Sequence, residues 1–310
     1  MKWRGRRQSS NIQDRRGAGG GGFRGGFGGS PFGRSGGGLR IPMGGRTSRG
    51  GMGGILGIVV VLGLIWLLTG TNPIDMLTGG SSSTSSVSSS SYRPANGSAD
   101  ELREFVGVVI QETEDLWNAE FAEIGEDYPE PTVVLFTGQT DSGCGAADAS
   151  TGPFYCPVDE QVYIDLGFYD MLRDQFGAPG DFAQAYVLAH EVGHHVQNLT
   201  GVLGDFNQRR QSMSQEEANA WSVRVELQAD CYAGIWAAYA GQEDLLENGD
   251  IEEAINAAIQ IGDDTLQRRS QGFVVPKTFN HGTSEQRKTW FERGYRGGDP
   301  GVCDTFSGSV

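Results

Sequence analysis

Two groups of residues in this chain have the types and spacing for metal chemistry. His190, Glu191 and His194 form an HExxH pattern within AYVLAHEVGHHVQNL, and Glu226 follows in VELQAD. Imidazoles four positions apart on a helix project from one face, about 40° apart, and can grip one ion. Glu191 sits one position round, beside the place where a water would bind. A hydrolytic zinc centre needs three protein ligands, an exchangeable water and a carboxylate to take the water's proton. Glu226 and Asp230 are spaced i, i+4 among the apolar flanks Val225, Leu227, Ala229 and Cys231. A carboxylate pair turned into such an interface needs a partner, because an unpaired buried charge is very costly. The pattern assigns His190, His194 and Glu226 to one Zn²⁺ per chain and Glu191 to the general base. Asp230 would hold the spare ring N–H of His190 and so fix its tautomer. His195 lies about 100° round from His194, off the ligand face. It is expected at the polar surface or in a supporting hydrogen bond.

Several elements must position these groups. The apolar run FAQAYVLA places the HExxH on a helix, with Asp181 at the N-cap position and Gly201 ending the pattern. Residues 215–241 read as one long Ala-rich helix that starts acidic and ends at Gly. Residues 101–123 read as an amphipathic helix, 132–137 and 162–166 as strands, and 251–261 and 284–293 as further helices.

The rest of the chain concerns location. Residues 1–50 hold eleven Lys/Arg against the single acid Asp14, with runs of Gly, and are expected to be a disordered tail. Residues 55–68, ILGIVVVLGLIWLL, lie in an uncharged stretch long enough to cross a ~30 Å hydrocarbon core, so 51–74 are expected to be a transmembrane anchor. The charge asymmetry places the tail in the cytoplasm and the residues after the anchor on the periplasmic or extracellular side. Residues 75–99 are a Ser-rich linker, and 100–310 form the folded domain. Residues 51–310 carry 13 bases against 38 acids, which disfavours nucleic acid as a partner. Cys144, Cys156, Cys231 and Cys303 all fall in the domain, an even number consistent with bridges in an oxidising compartment. Cys144 with Cys156 would close a small loop, and Cys231 with Cys303 would tie the tail to the long helix; neither pairing is fixed by sequence.

HEVGHHVQ, ELQADCYAGIW and HGTSEQR, with the opening MKWRGRRQSSNIQDRRG, closely resemble a bacterial family of neutral zinc metallopeptidases carrying an N-terminal membrane helix. The order HExxH then ExxxD is also similar to the wider Glu-zincins. The resemblance implies an α+β zincin-like domain, mostly helical with a small sheet, preceded by one transmembrane helix. It implies a membrane-anchored zinc endopeptidase acting on protein or peptide, with residues 160–166 as an edge strand for extended substrate. His281, Tyr295 or Tyr232 would donate to the oxyanion of the tetrahedral intermediate. The competing expectations are a non-catalytic zinc-containing envelope scaffold and a zinc amidase acting on cell-wall peptides.

Overall fold

The computed structural model describes residues 1–17 and 99–310. The anchor read at 51–74, most of the linker read at 75–99, and residues 18–50 of the tail lie outside the described residues. Among the described residues, no helix is long and apolar enough to cross a membrane.

The architecture is mixed, with helices dominating and a small sheet at one side. In chain order the elements are β1 (Ile12–Asp14), α1 (Ala99–Glu123), β2 (Thr132–Phe136), the hairpin β3 (Gln139–Ser142) and β4 (Gly145–Asp148), β5 (Phe154–Cys156) and β6 (Gln161–Asp165). Then come α2 (Phe168–Asp174), α3 (Asp181–Leu199), α4 (Val202–Arg209), α5 (Gln215–Gln242), α6 (Asp250–Gln260), α7 (Asp263–Gln271) and α8 (Ser284–Gly297). The main sheet runs β1-β2-β6-β5, parallel except for the antiparallel β5–β6 pair. Side chains alternate across a strand, so Val133 and Leu135 of β2 join the helical core. Val134 and Phe136 meet Tyr163 and Cys156 on the opposite face.

The five helices expected from sequence form, whereas α2, α4 and α7 were not anticipated, and the helix ends show what fixes them. α5 opens on a reciprocal cap between Ser214 and Glu217, and α8 on one between Thr283 and Gln286. α3 differs from expectation: Gly180 holds the cap position at φ 118°, and Asp181 is the first helical residue. The Phe182 N–H instead donates to the Glu253 carboxylate of α6, at 3.1 Å. Asp181 turns to the Met1 ammonium, 2.9 Å away. Close helix packing depends on two glycine contacts. A Cβ on Gly193, inside HEVGH, would lie 3.2 Å from the Ala229 backbone of α5. Where α5 crosses α8, a Cβ on Gly234 or Gly294 would overlap the facing backbone outright.

Both cysteine pairs are bridged, Cys144 to Cys156 and Cys231 to Cys303. The first covers the outer face of the sheet and the second ties the C-terminal tail to α5.

Two expectations are corrected. Residues 160–166 do not form an edge, because β6 lies between β2 and β5. The antiparallel edge is β5, a strand of three residues, too short for its FYC to register as an alternating pattern. Residues 1–17 are not a disordered tail. β1 pairs with β2 in the register Ile12↔Val133 to Asp14↔Leu135. Trp3 is buried edge-on against Phe105, with ring centroids 5.5 Å apart. Composition failed here because the burial that stabilises this segment is supplied by distant residues. Replacing Trp3 with Ala is expected to lower unfolding stability by about 3–5 kcal/mol in chemical denaturation. An unchanged midpoint would mean that the segment does not dock.

Candidate metal centre

The site lies where α3 crosses α5, at the close approach allowed by Gly193. His190 Nε2 is 3.3 Å from Glu226 Oε2, and His194 Nε2 is 3.6 Å from Glu226 Oε1. Ligand atoms around a tetrahedral zinc at ~2.0–2.1 Å stand about 3.3 Å apart, so these separations suit that ion. The imidazole tautomers agree. His190 Nδ1 lies 2.9 Å from Asp230 Oδ1, and His194 Nδ1 2.8 Å from Gln197 Oε1. Gln197 Nε2 donates to the Val225 carbonyl at 2.7 Å, so its oxygen is the atom facing His194. Each ring therefore donates through Nδ1 and leaves Nε2 as the atom that faces Glu226. Ligand atoms of His190, His194 and Glu226 all lie within 4.8 Å of one another.

The charges follow from burial and neighbours. Burial opposes ionisation of Glu226, but His194, His190 and His281 outweigh it and hold the carboxyl well below the usual range. Burial likewise opposes a charge on His190, yet Asp230 and Glu226 push it up to about 9. Glu191 is buried at the same face, and that burial raises its carboxyl despite His194 and His190 nearby. The Tyr155 backbone of β5 lies close enough to favour its ionised form, so the edge strand abuts the site.

Around these groups lies a shell that the sequence reading only partly found. Asp230 is fully buried, and Arg287 of α8 grips both its oxygens, Nε at 3.0 Å and Nη2 at 2.9 Å. Tyr186 donates to Asp230 as well. On the His194 side, Gln197 Nε2 also reaches Gln228 Oε1 at 3.0 Å, and Gln228 donates to the Cys303 carbonyl at 3.1 Å. Tyr186 and Gln197 were discoverable, since they stand at i−4 from His190 and i+3 from His194 on the ligand face. Arg287 is the last letter of HGTSEQR, where no helical spacing links it to Asp230.

His281 reaches the same neighbourhood from the loop before α8, close enough to Glu226 for each to shift the other. Burial disfavours its charge, but a hydrogen bond from Nδ1 to Asp263 and the charges of Asp263 and Glu226 raise its pKa. Asp263 also accepts the backbone N–H groups of Asn280, His281 and Gly282, which fixes the loop. Tyr232 packs edge-on against Trp117, and Tyr295 packs against the core. His195 is fully buried rather than on the surface, hydrogen-bonded to Tyr155 and to the Pro129 carbonyl. It points away from the ligands and pins α3 to β5.

Asp230→Asn is expected to weaken zinc binding about 10–100-fold, measured by competition with a chromophoric chelator. Arg287→Met leaves the Asp230 charge buried without its guanidinium and is expected to cost about 3–5 kcal/mol of stability. Unchanged zinc affinity in Asp230→Asn would show that His190 needs no such support.

The chain was compared with known proteins. It is 46% identical over 310 residues to an uncharacterized protein, YpfJ, of Escherichia coli (strain K12), with both chains covered in full. It is 49% identical over 191 residues to the uncharacterized protein Rv2575 of Mycobacterium tuberculosis (strain ATCC 25618 / H37Rv), covering 58% of this chain and 64% of that one. No solved structure matches. A family model described as "Putative neutral zinc metallopeptidase" matches residues 1–306, and the chain belongs to that family.

Proposed function

We propose that this protein is a zinc-dependent endopeptidase acting on protein or peptide on the oxidising side of the cytoplasmic membrane, held there by residues 51–74. The observation that carries the reading is the buried carboxylate of Glu191 beside the convergent His190, His194 and Glu226. Structural zinc sites are closed by four protein ligands, whereas catalytic ones use three and keep a position open. The donor group at this site has three members among the described residues. This argues against a non-catalytic scaffold.

A zinc ion held by these residues supplies Lewis acidity, activating water and polarising a carbonyl. The residues of the chain do the rest. Glu191, with its affinity for a proton raised by burial, takes one from the attacking water and delivers it to the leaving amine. His281, its affinity for a proton raised by Asp263 and its ring aimed by the same carboxylate, donates to the developing oxyanion. The outer edge of β5 offers backbone hydrogen-bonding groups to an extended peptide next to Glu191. A cell-wall peptide would satisfy the same chemistry as an unfolded protein, and a substrate screen with both classes separates them.

Glu191→Gln is expected to retain one zinc per chain and lose turnover by at least ~10²–10⁴-fold. Glu226→Ala is expected to lose the metal itself. Metal content by mass spectrometry beside hydrolysis of a peptide library checks both, and full activity in Glu191→Gln would end this reading. His281→Ala is expected to lower kcat about 10²–10³-fold with little change in KM. Asp263→Asn should lower kcat less, because it disturbs aim and charge without removing the donor. A rise in KM alone for His281→Ala would make it a substrate-binding residue.

A further inference from the structure

The segment 1–17 and the body 99–310 are bound together too closely to be divided by a membrane. Beyond the β1–β2 ladder, the Lys2 N–H donates to the Leu245 carbonyl, the Ser9 N–H to Gly107, the Val133 N–H to Asn11, and the Arg15 N–H to Leu135. Met1 and Trp3 lie in the main hydrophobic core. Helix α1 is written for this partner. Its Glu112 and Glu114 are buried, and burial raises both carboxyls. Their partners are Arg6, at 2.9 Å from Glu112, and Ser9 and Asn11, at 2.6 and 2.9 Å from Glu114. Without residues 1–17 these two carboxyls lose those partners.

The basic residues of the segment serve the same contact. Arg7 pairs with Asp115, Arg4 with Glu101 and Lys2 with Asp244. Pairing with acids of the body accounts for four of the eleven basic residues whose asymmetry otherwise signals a cytoplasmic N-terminus. Between the two parts of the chain runs the apolar stretch 55–68. A single crossing by 51–74 would put β1 and β2 on opposite sides of a ~30 Å barrier, and no β-ladder survives that. Two disulfides stand in the same body as β1, which marks the shared side as the oxidising one.

We infer that residues 1–17 lie with residues 99–310 on one side of the membrane, the extracytoplasmic side. This rests on reading 51–74 as a membrane segment and is independent of peptidase activity, which plays no part in the readouts below.

Two measurements on the full chain in cells test it. A Cβ at Gly107 would lie 3.2 Å from the Gln8 Cβ, a few tenths of an ångström short of a disulfide's usual span, which a small shift of the exposed Gln8 segment supplies. The double variant Gln8→Cys/Gly107→Cys is expected to yield a bridged peptide in most chains after alkylating quench and non-reducing digestion. Ser10→Cys, at an exposed position, is expected to react with a membrane-impermeant maleimide in intact spheroplasts. It should do so as fully as Val158→Cys on the body, whose position is 72% exposed. The Ser10→Cys variant leaves the packing at Gly107 untouched, so misfolding of the double variant cannot decide the question alone. Labelling of Ser10→Cys only after permeabilisation overturns the inference, whatever Val158→Cys does. So does absence of the bridge in a double variant that still binds zinc with wild-type affinity.

Discussion

The ionised Asp230 at the centre of the molecule is the constraint on which the rest depends. It is completely buried, a placement tolerated only with partners of opposite charge and good geometry. Burial favours its neutral form, but Arg287 and His190 keep it ionised. Arg287 itself is 2% exposed, so α8 must lie against α5 to bring it there. That crossing in turn requires glycine on both helices. His190 takes its orientation from the same carboxylate, and the proposed metal centre inherits that orientation. One buried charge thereby couples helix packing to ligand geometry, and neither can be altered alone.

The two histidines are steadied by different chemistry. His190 meets a carboxylate that is clamped by a guanidinium, an ionic arrangement strongest in a dry interior. His194 meets an amide, Gln197, whose other contacts run through Gln228 to the backbone of the C-terminal tail. The Cys231–Cys303 bridge holds that tail against α5 at the next turn. The tail is thus part of the support for a candidate site whose convergent side chains come from elsewhere.

Much of the site was legible because helical spacing is a local property. His190, Glu191 and His194 share one helix, and Glu226 and Asp230 share another, so periodicity alone states which side chains can act together. The five longest helices were legible for the same reason, to within a few residues at each end, while the short α2, α4 and α7 were not. What escaped was non-local. Arg287, Asp263 and Gln228 matter through neighbours far away in sequence, and no pattern announces such a partnership. β5 is too short to show alternation, so the edge role was assigned to β6, its longer and more conspicuous neighbour. The segment 1–17 misled for a physical reason. Its basic residues look like a solvated tail until the acidic face of α1 is seen beside them.

That segment also imposes an order on synthesis. Its partners are spread along the body, from Gly107 and Val133 to Leu245 and Asp250. At ~5–20 residues per second, tens of seconds or less separate emergence of Ile12 from emergence of α6. During that interval Trp3 and the β1 strand have no complete surface to dock on. A parallel strand joined across so long a connection also pays its loop-closure entropy before any ladder bond forms. Residues made before the body are therefore among the last to find their place, and the molecule finishes folding by seating its own beginning.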